Sequence, residues 1–121
     1  MQGTDIGYFP TSLFTNLTDG ADIIAWGGVV FDSLGSGEQT STDMGSGDFP
    51  SSGQSKACYI RNLNYVDGSG ALQIPKPEEL VPVVSKPLCY DALIPSSGNP
   101  DPDLGLYFFF GGPGQNSNGC A

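Results

Sequence analysis

Eighteen glycines and ten prolines are spread so evenly through 121 residues that no long helix has room to form. In a helix interior each glycine costs about 1 kcal/mol relative to alanine, and each proline about 3. Good helix formers are also scarce, with two Met, three Glu and four Lys plus Arg. Between the breaks recur short runs of Val, Ile, Thr, Tyr and Phe, bounded by Gly, Pro, Ser and Asp. That is the pattern of short strands joined by turns. The chain reads as all-β. Its length suits one domain, which would bury roughly 65% of its unfolded surface, and thirteen aromatic residues supply apolar area for a core. No internal repeat divides it, so residues 1–121 are expected to form one unit.

The strongest strand signal is residues 22–31, nearly all apolar and interrupted by Gly27-Gly28. Glycine inside a strand marks a bulge or a close approach of another backbone or ligand. Residues 6–14 read as a strand ending at Pro10, which cannot donate to a ladder. Residues 38–44 form the next expected strand. Residues 56–66 follow, with Cys58 and Ile60 on one face and Ala57, Tyr59 and Arg61 on the other. Asp67-Gly68-Ser69-Gly70 is a turn. Four prolines from Pro75 to Pro87 keep the next segment extended and outside a central sheet, apart from one helical turn over 76–80. Residues 88–91 form a short strand. The last strand, 104–110, is buried on both faces if all three Phe are used.

The formal charge is −9, and Lys56, Arg61, Lys76 and Lys86 are the only basic residues. Such a surface repels phosphate backbones and anionic lipid, which argues against nucleic acid as a partner. No apolar stretch approaches the twenty or so residues of a membrane span. The start of the chain lacks the basic-then-apolar form of a signal peptide. The protein is therefore intracellular, or Met1 is not the start of the natural precursor. Asn16-Leu17-Thr18 is a glycosylation sequon that matters only in the secretory pathway.

Histidine is absent. Ser-His and Cys-His nucleophile pairs therefore have no base, and the usual zinc sets lack an imidazole. Asn99, Asp101 and Asp103 alternate oxygen ligands, but two prolines and the lack of a closing Glu argue against calcium. No metal or other cofactor is expected. Any acid–base work falls to carboxylates. The three cysteines leave two states open: one bridge with a thiol over, or three buried thiols.

Several short motifs, in order, resemble the neprosin domain of plants, a family of secreted glutamic peptidases that cut after proline. Gly7-Tyr8-Phe9-Pro10-Thr11-Ser12-Leu13-Phe14 stands where the family typically has Gly-Tyr-Trp-Pro-Ser-Ser-Leu-Phe. Trp26-Gly27-Gly28-Val29 is similar to a Trp-Gly-Gly-Glu element. Met44-Gly45-Ser46-Gly47 is similar to a Met-Gly-Ser-Gly loop, and 56–62 to Lys-Ala-x-Tyr-x-Arg-Asn. Cys89-Tyr90-Asp91 and the block from Tyr107 to Gly114 follow. The resemblance covers residues 6–120 and implies an antiparallel β-sandwich, of which this chain is the C-terminal part. It implies an extracellular or vacuolar protein acting on proline-containing peptides. It also implies a Cys89–Cys120 disulfide, worth roughly 3.7 kcal/mol in the chain-entropy picture of its loop.

In the family a pair of glutamates facing each other across the cleft would act as base and acid, which requires environments that separate their pKa values. The second glutamate aligns with Val29, which cannot carry a proton. The first lies in a half of the domain that this sequence does not contain. Glu38, Glu78 and Glu79 are poor substitutes, so the resemblance implies no catalytic residue and an incomplete enzyme. Retained activity through Asp32 or Glu38 is a further reading. The competing reading is a non-catalytic β-sandwich module that binds peptide or carbohydrate, with Tyr8, Phe9, Trp26, Gly27 and Gly28 as cleft candidates. Trp26 discriminates the two, because stacking needs an exposed ring and core packing a buried one. Half a sandwich exposes edges and an apolar face, implying self-association or a complementing N-terminal half.

Overall fold

The computed structural model describes residues 9–17, 19–31, 39–96, 100–115 and 120. Five short strands make up the regular structure among them: β1 (Cys58–Ile60), β2 (Tyr65–Val66), β3 (Leu72–Gln73), β4 (Asp91–Leu93) and β5 (Phe108–Gly111). Three single-turn 3-10 segments, Thr11–Leu13, Pro50–Ser52 and Pro77–Glu79, are the helical content of the described residues. The fold is all-β and its pairings are antiparallel. Among the described residues no helix is long and apolar enough to cross a membrane.

The main sheet has the order β1-β5-β4, so the aromatic strand from the end of the sequence is central. Its register sets Cys58 opposite Phe110 and Ile60 opposite Phe108, with Ala92 across from Phe110 on the other side. Side chains alternate across a pleated strand. Ile60, Phe108, Phe110 and Ala92 therefore share the inner face. Tyr59, Phe109 and Leu93 share the other, where the Phe109 ring meets Tyr59 and Tyr107 edge to face at 6.2 and 5.6 Å. Both Phe108 and Phe109 are buried, so β5 contributes to packing on its two sides.

The core lies on the inner face. Leu63, Leu106 and Phe108 are buried together, and Trp26, Ile60, Leu80, Ile94 and Phe110 pack around them. A second cluster joins Cys89, Tyr90 and Cys120 with Val30 and Met44. Cys89 and Cys120 form a disulfide with Cα atoms 5.0 Å apart, and Cys58 is a free, half-buried thiol.

Several element boundaries differ from the sequence reading. The strand expected over 56–66 is broken in two at Asn62, whose φ of 53° lies in the left-handed region. There the backbone leaves β1 to donate from Asn62 and Leu63 to the carbonyls of Leu104 and Leu106. The last strand is consequently shorter than 104–110, since 104–107 serves this irregular pairing. The strand expected at 88–91 begins instead at Asp91, because Cys89 and Tyr90 donate their N–H groups to the Lys86 carbonyl in a turn. Of the strand expected over 38–44, Met44 forms an isolated bridge to Gly112, and Glu38 lies outside the described residues. Of residues 6–14, the described part is a 3-10 turn after Pro10, and 6–8 lie outside the description.

The largest departure concerns 22–31. Among the described residues this run makes no backbone hydrogen bond, and from 23 to 31 it neither turns nor bends. It keeps the alternation of a strand without the partner of one. Trp26 packs on the Leu63 cluster and Val30 on the Cys89 cluster, while Ile23, Val29 and Phe31 point the other way. Residues 80–84 behave alike, with Leu80 inward and Val81 and Val83 outward. Apolar periodicity signals the local conformation, but a ladder needs a neighbour that the sequence pattern does not identify.

Candidate functional site

An open cavity of about 970 Å³ lies between these two unpaired runs and the inner face of the sheet. Residues 21–29 line one side and 79–86 another, while Leu63, Phe108 and Phe110 form the floor. The sequence positions these groups by separate means. Pro82 and Pro87 hold the 79–86 wall extended. Gly28 lets its strand lie flat on the floor: a Cβ there would come 2.8 Å from Cε2 of Phe110 and 2.9 Å from Sδ of Met44. Gly28 is thus the close approach that the Gly27-Gly28 pair signals, whereas a Cβ on Gly27 would meet nothing within 4 Å.

The rear wall is fixed by Tyr90, whose hydroxyl donates to the Thr42 carbonyl at 2.9 Å and accepts from Nε2 of Gln39 at 3.2 Å. This ties 39–44 to the turn that precedes β4. Met44 is held a second time by its bridge to Gly112, whose φ of 153° and contact with the Cys89 carbonyl leave no room for a side chain. Trp26-Gly27-Gly28, Met44, Cys89-Tyr90 and the Phe108–Gly112 stretch, far apart in sequence, therefore meet at one place.

The polar groups lining the cavity are few. Oε2 of Glu79 accepts from the Lys76 backbone N–H at 3.1 Å, and Oε1 sits 3.8 Å from the Lys76 ammonium. Asp91 accepts from the Ala92 N–H at 2.8 Å. Asp22 and Lys86 are exposed at the margins. Among the described residues no polar or charged side chain is buried. Apolar contact, shape and backbone hydrogen bonding are what the cavity offers a ligand.

The candidate residues fall into three groups. Trp26, Gly27, Gly28 and Val29 all line the cavity. Trp26 is partly buried against the cluster of Leu63, Leu106 and Phe108 and also lines the cavity. Val29 is 93% exposed on the outward side of its run. Phe9 does not reach the cavity and pairs edge to face with Phe14 at 6.4 Å. Tyr8, Asp32, Glu38 and Asn99 lie outside the described residues. Asn16 is exposed. Asp101 accepts from the N–H groups of Asp103 and Leu104 at 2.8 and 2.9 Å, as a turn residue. Among the described residues no group of three or more Cys, Asp or Glu is placed to hold a metal ion.

Sequence reasoning missed the 79–86 wall. Its signal was present in Val81-Pro82-Val83-Val84, an apolar run that the flanking prolines mark as extended but not as part of a site.

The convergence of the motif segments on one cavity has a counterpart in sequence space. The family model for the neprosin domain matches residues 1–113, nearly the whole chain, and all five strands of the described residues lie inside that match. On this ground the chain belongs to the neprosin family.

Proposed function

We propose that this neprosin-family chain does not hydrolyse peptides in the manner of a proline-directed glutamic peptidase. The observation that carries the reading is the chemistry of position 29. A valine stands where the resemblance requires a glutamate, with its side chain 93% exposed. A two-carboxylate mechanism needs one acid kept protonated and one ionised, which calls for desolvation or close charge partners. The described residues hold no buried carboxylate.

The cavity favours a second role for the same site, the holding of extended, proline-containing peptides without cutting them. Its volume of about 970 Å³ is at the upper end of ligand sites. Its walls are apolar, and Pro82 and Val84 offer surfaces for a prolyl ring. Trp26 reports on occupancy, because it lines the cavity and is the protein's single tryptophan. We further place the protein in the secretory pathway, in keeping with the exposed Asn16 sequon and the buried Cys89–Cys120 bridge. Oxidising compartments are where such bridges persist.

The test is incubation with proline-containing peptides between roughly pH 3 and 6, the range in which carboxylates titrate. No cleavage is expected, and Val29→Glu is expected to restore none. Titration of the same peptides against Trp26 fluorescence should saturate. Cleavage by the unaltered chain would overturn the first reading, and an unresponsive Trp26 the second.

A further inference from the structure

We propose that the end of the cavity at Tyr90 receives the free C-terminal carboxylate of a bound peptide, with Lys86 as its counter-ion. The inference deepens the peptide-holding role and rests on it.

The first observation is the way the cavity ends. A recess of about 240 Å³ opens off it and shares Gly28, Met44, Ser85, Lys86 and Tyr90 with it. Both walls run toward this recess. Trp26 and Leu80, early in the two walls, pack on the Leu63 cluster. Val30, just past the end of the first wall, packs on the Cys89–Tyr90 cluster. Lys86, at the end of the second, accepts at its carbonyl from the N–H groups of Cys89 and Tyr90, each at 2.9 Å. The walls therefore run in the same direction, and an extended peptide lying between them has one end here. Tyr90 and Met44 stand across that end, the first tied to Thr42 and Gln39 and the second to Gly112. A chain lying along the floor stops at this point.

The second observation is charge, which selects the terminus. Asp22, Glu79, Asp91 and Lys86 are the charged residues lining the cavity, and of these only Lys86 lines the recess. Asp22 and Glu79 begin the two walls, at the far end, where Glu79 is engaged by Lys76. Asp91 follows Tyr90, but Ala92 takes the inner face of β4, so alternation directs the Asp91 side chain to the other face, and its Oδ1 accepts from the Ala92 N–H. Among the described residues Lys86 forms no ion pair.

This lysine is well placed for a carboxylate. Its carbonyl is held by the turn, and Pro87 restricts the backbone that follows. Ser85 beside it supplies a hydroxyl donor for the second oxygen. The apolar surroundings strengthen the pair by lowering the local dielectric. The other two basic residues, Lys56 and Arg61, line neither space. In a chain of net charge −9, this is the one place along the cavity where an anion gains. A carboxylate at a blind end belongs to the last residue of a chain. The peptide accordingly lies with its C-terminus at Lys86, its last residues beside Pro82 and Val84, and its amino-terminal side toward Asp22.

The test is calorimetric titration of the full, oxidised chain at neutral pH with three acetylated peptides of alanine and proline, each ending in proline. The first has a free C-terminal carboxylate and the second a C-terminal amide. The third is an amide with a glutamate near its middle. The free acid should bind about fivefold more tightly than either amide, in line with a partly exposed ion pair. The field of the whole molecule acts in the opposite sense, since a charge of −9 repels the acid and not the neutral amide. Lys86→Gln should abolish the preference. Lys56→Gln, which changes the net charge from −9 to −10 equally but lies off the cavity, should leave it intact. Equal affinities, tighter binding of the neutral amide, or a preference that survives Lys86→Gln would overturn the proposal and leave the peptide-holding role standing. A glutamate amide that binds as tightly as the free acid would overturn the assignment to a chain end. If none of the three binds, the role itself fails and the proposal with it. The comparison of acid with amide on the unaltered chain decides the matter even if a lysine variant misfolds.

Discussion

Two residues show how this fold uses local chemistry where a large core is lacking. Asp67 opens the turn between β2 and β3. Its Oδ1 accepts from the Ser69 hydroxyl at 2.6 Å and from the N–H groups of Ser69 and Ala71, while Oδ2 accepts from Gln73 at 2.8 Å. These bonds, led by that from the Ser69 hydroxyl, favour the ionised form and lower its pKa from 3.8 to about 2. A depressed carboxyl contributes stability that is fully present above 3.8 and is lost as pH falls through about 2. The expected outcome is an Asp67 side-chain titration by NMR with a midpoint near 2. Asp67→Asn should remove that titration and speed amide exchange at Ala71. Because the group is exposed, the effect should stay within the hairpin. Gly112 is the opposite case, a residue defined by space. Its left-handed φ and its contact with the Cys89 carbonyl predict that Gly112→Ala destabilises by about 1–3 kcal/mol, read as a lower urea midpoint.

At the scale of elements, the disulfide and β5 organise the rest. The bridge is only 2% exposed at both cysteines, within the Tyr90 cluster. It should therefore resist reductant in the folded protein and yield on unfolding. Replacing Cys89 and Cys120 together by serine should lower stability by roughly 3.7 kcal/mol, measured by urea denaturation. Phe108→Ala should cost about 3–5 kcal/mol by the same measurement, as expected for a buried aromatic in the main cluster. Much of this layer is legible in the sequence. The Gly and Pro punctuation excludes long helices, the Phe run marks a strand used on both faces, and Asp67-Gly68-Ser69-Gly70 marks a turn. The bridge follows from the family resemblance rather than from spacing. Three things are not legible. Asn62 breaks a run of strand-like residues because a left-handed asparagine is inexpensive when Gly105 makes room beside it. The 22–31 run has every mark of a strand, yet pairing depends on a neighbour. The joining of 79–86 to Trp26 around one cavity arises from chain reversals at Lys76 and Lys86 whose relative placement no local pattern encodes.

For the whole molecule, charge and apolar surface set solution behaviour. At neutral pH the charge of −9 opposes collapse of one copy onto another, although large apolar side chains are exposed. The sequence pI is about 4.1. Light scattering as a function of pH should therefore rise to a maximum near pH 4 and fall on either side, with added salt raising it at pH 7. This maximum falls inside the acid range in which a glutamic peptidase would be assayed, so activity there must be read on material shown to be dispersed.

The strand order β1-β5-β4 also has a consequence in time. A chain emerges from the ribosome N-terminus first. Of the three strands, the one in the middle is the last to be made. Until residues 108–111 have emerged, β1 and β4 have nothing between them to zip onto, and Trp26 has no Phe108 to settle against. Nearly the whole sequence must therefore be translated before any of the main sheet can exist. The nascent chain carries the sticky 23–31 stretch in the open for that entire interval, the stage at which a chaperone would have most to shield.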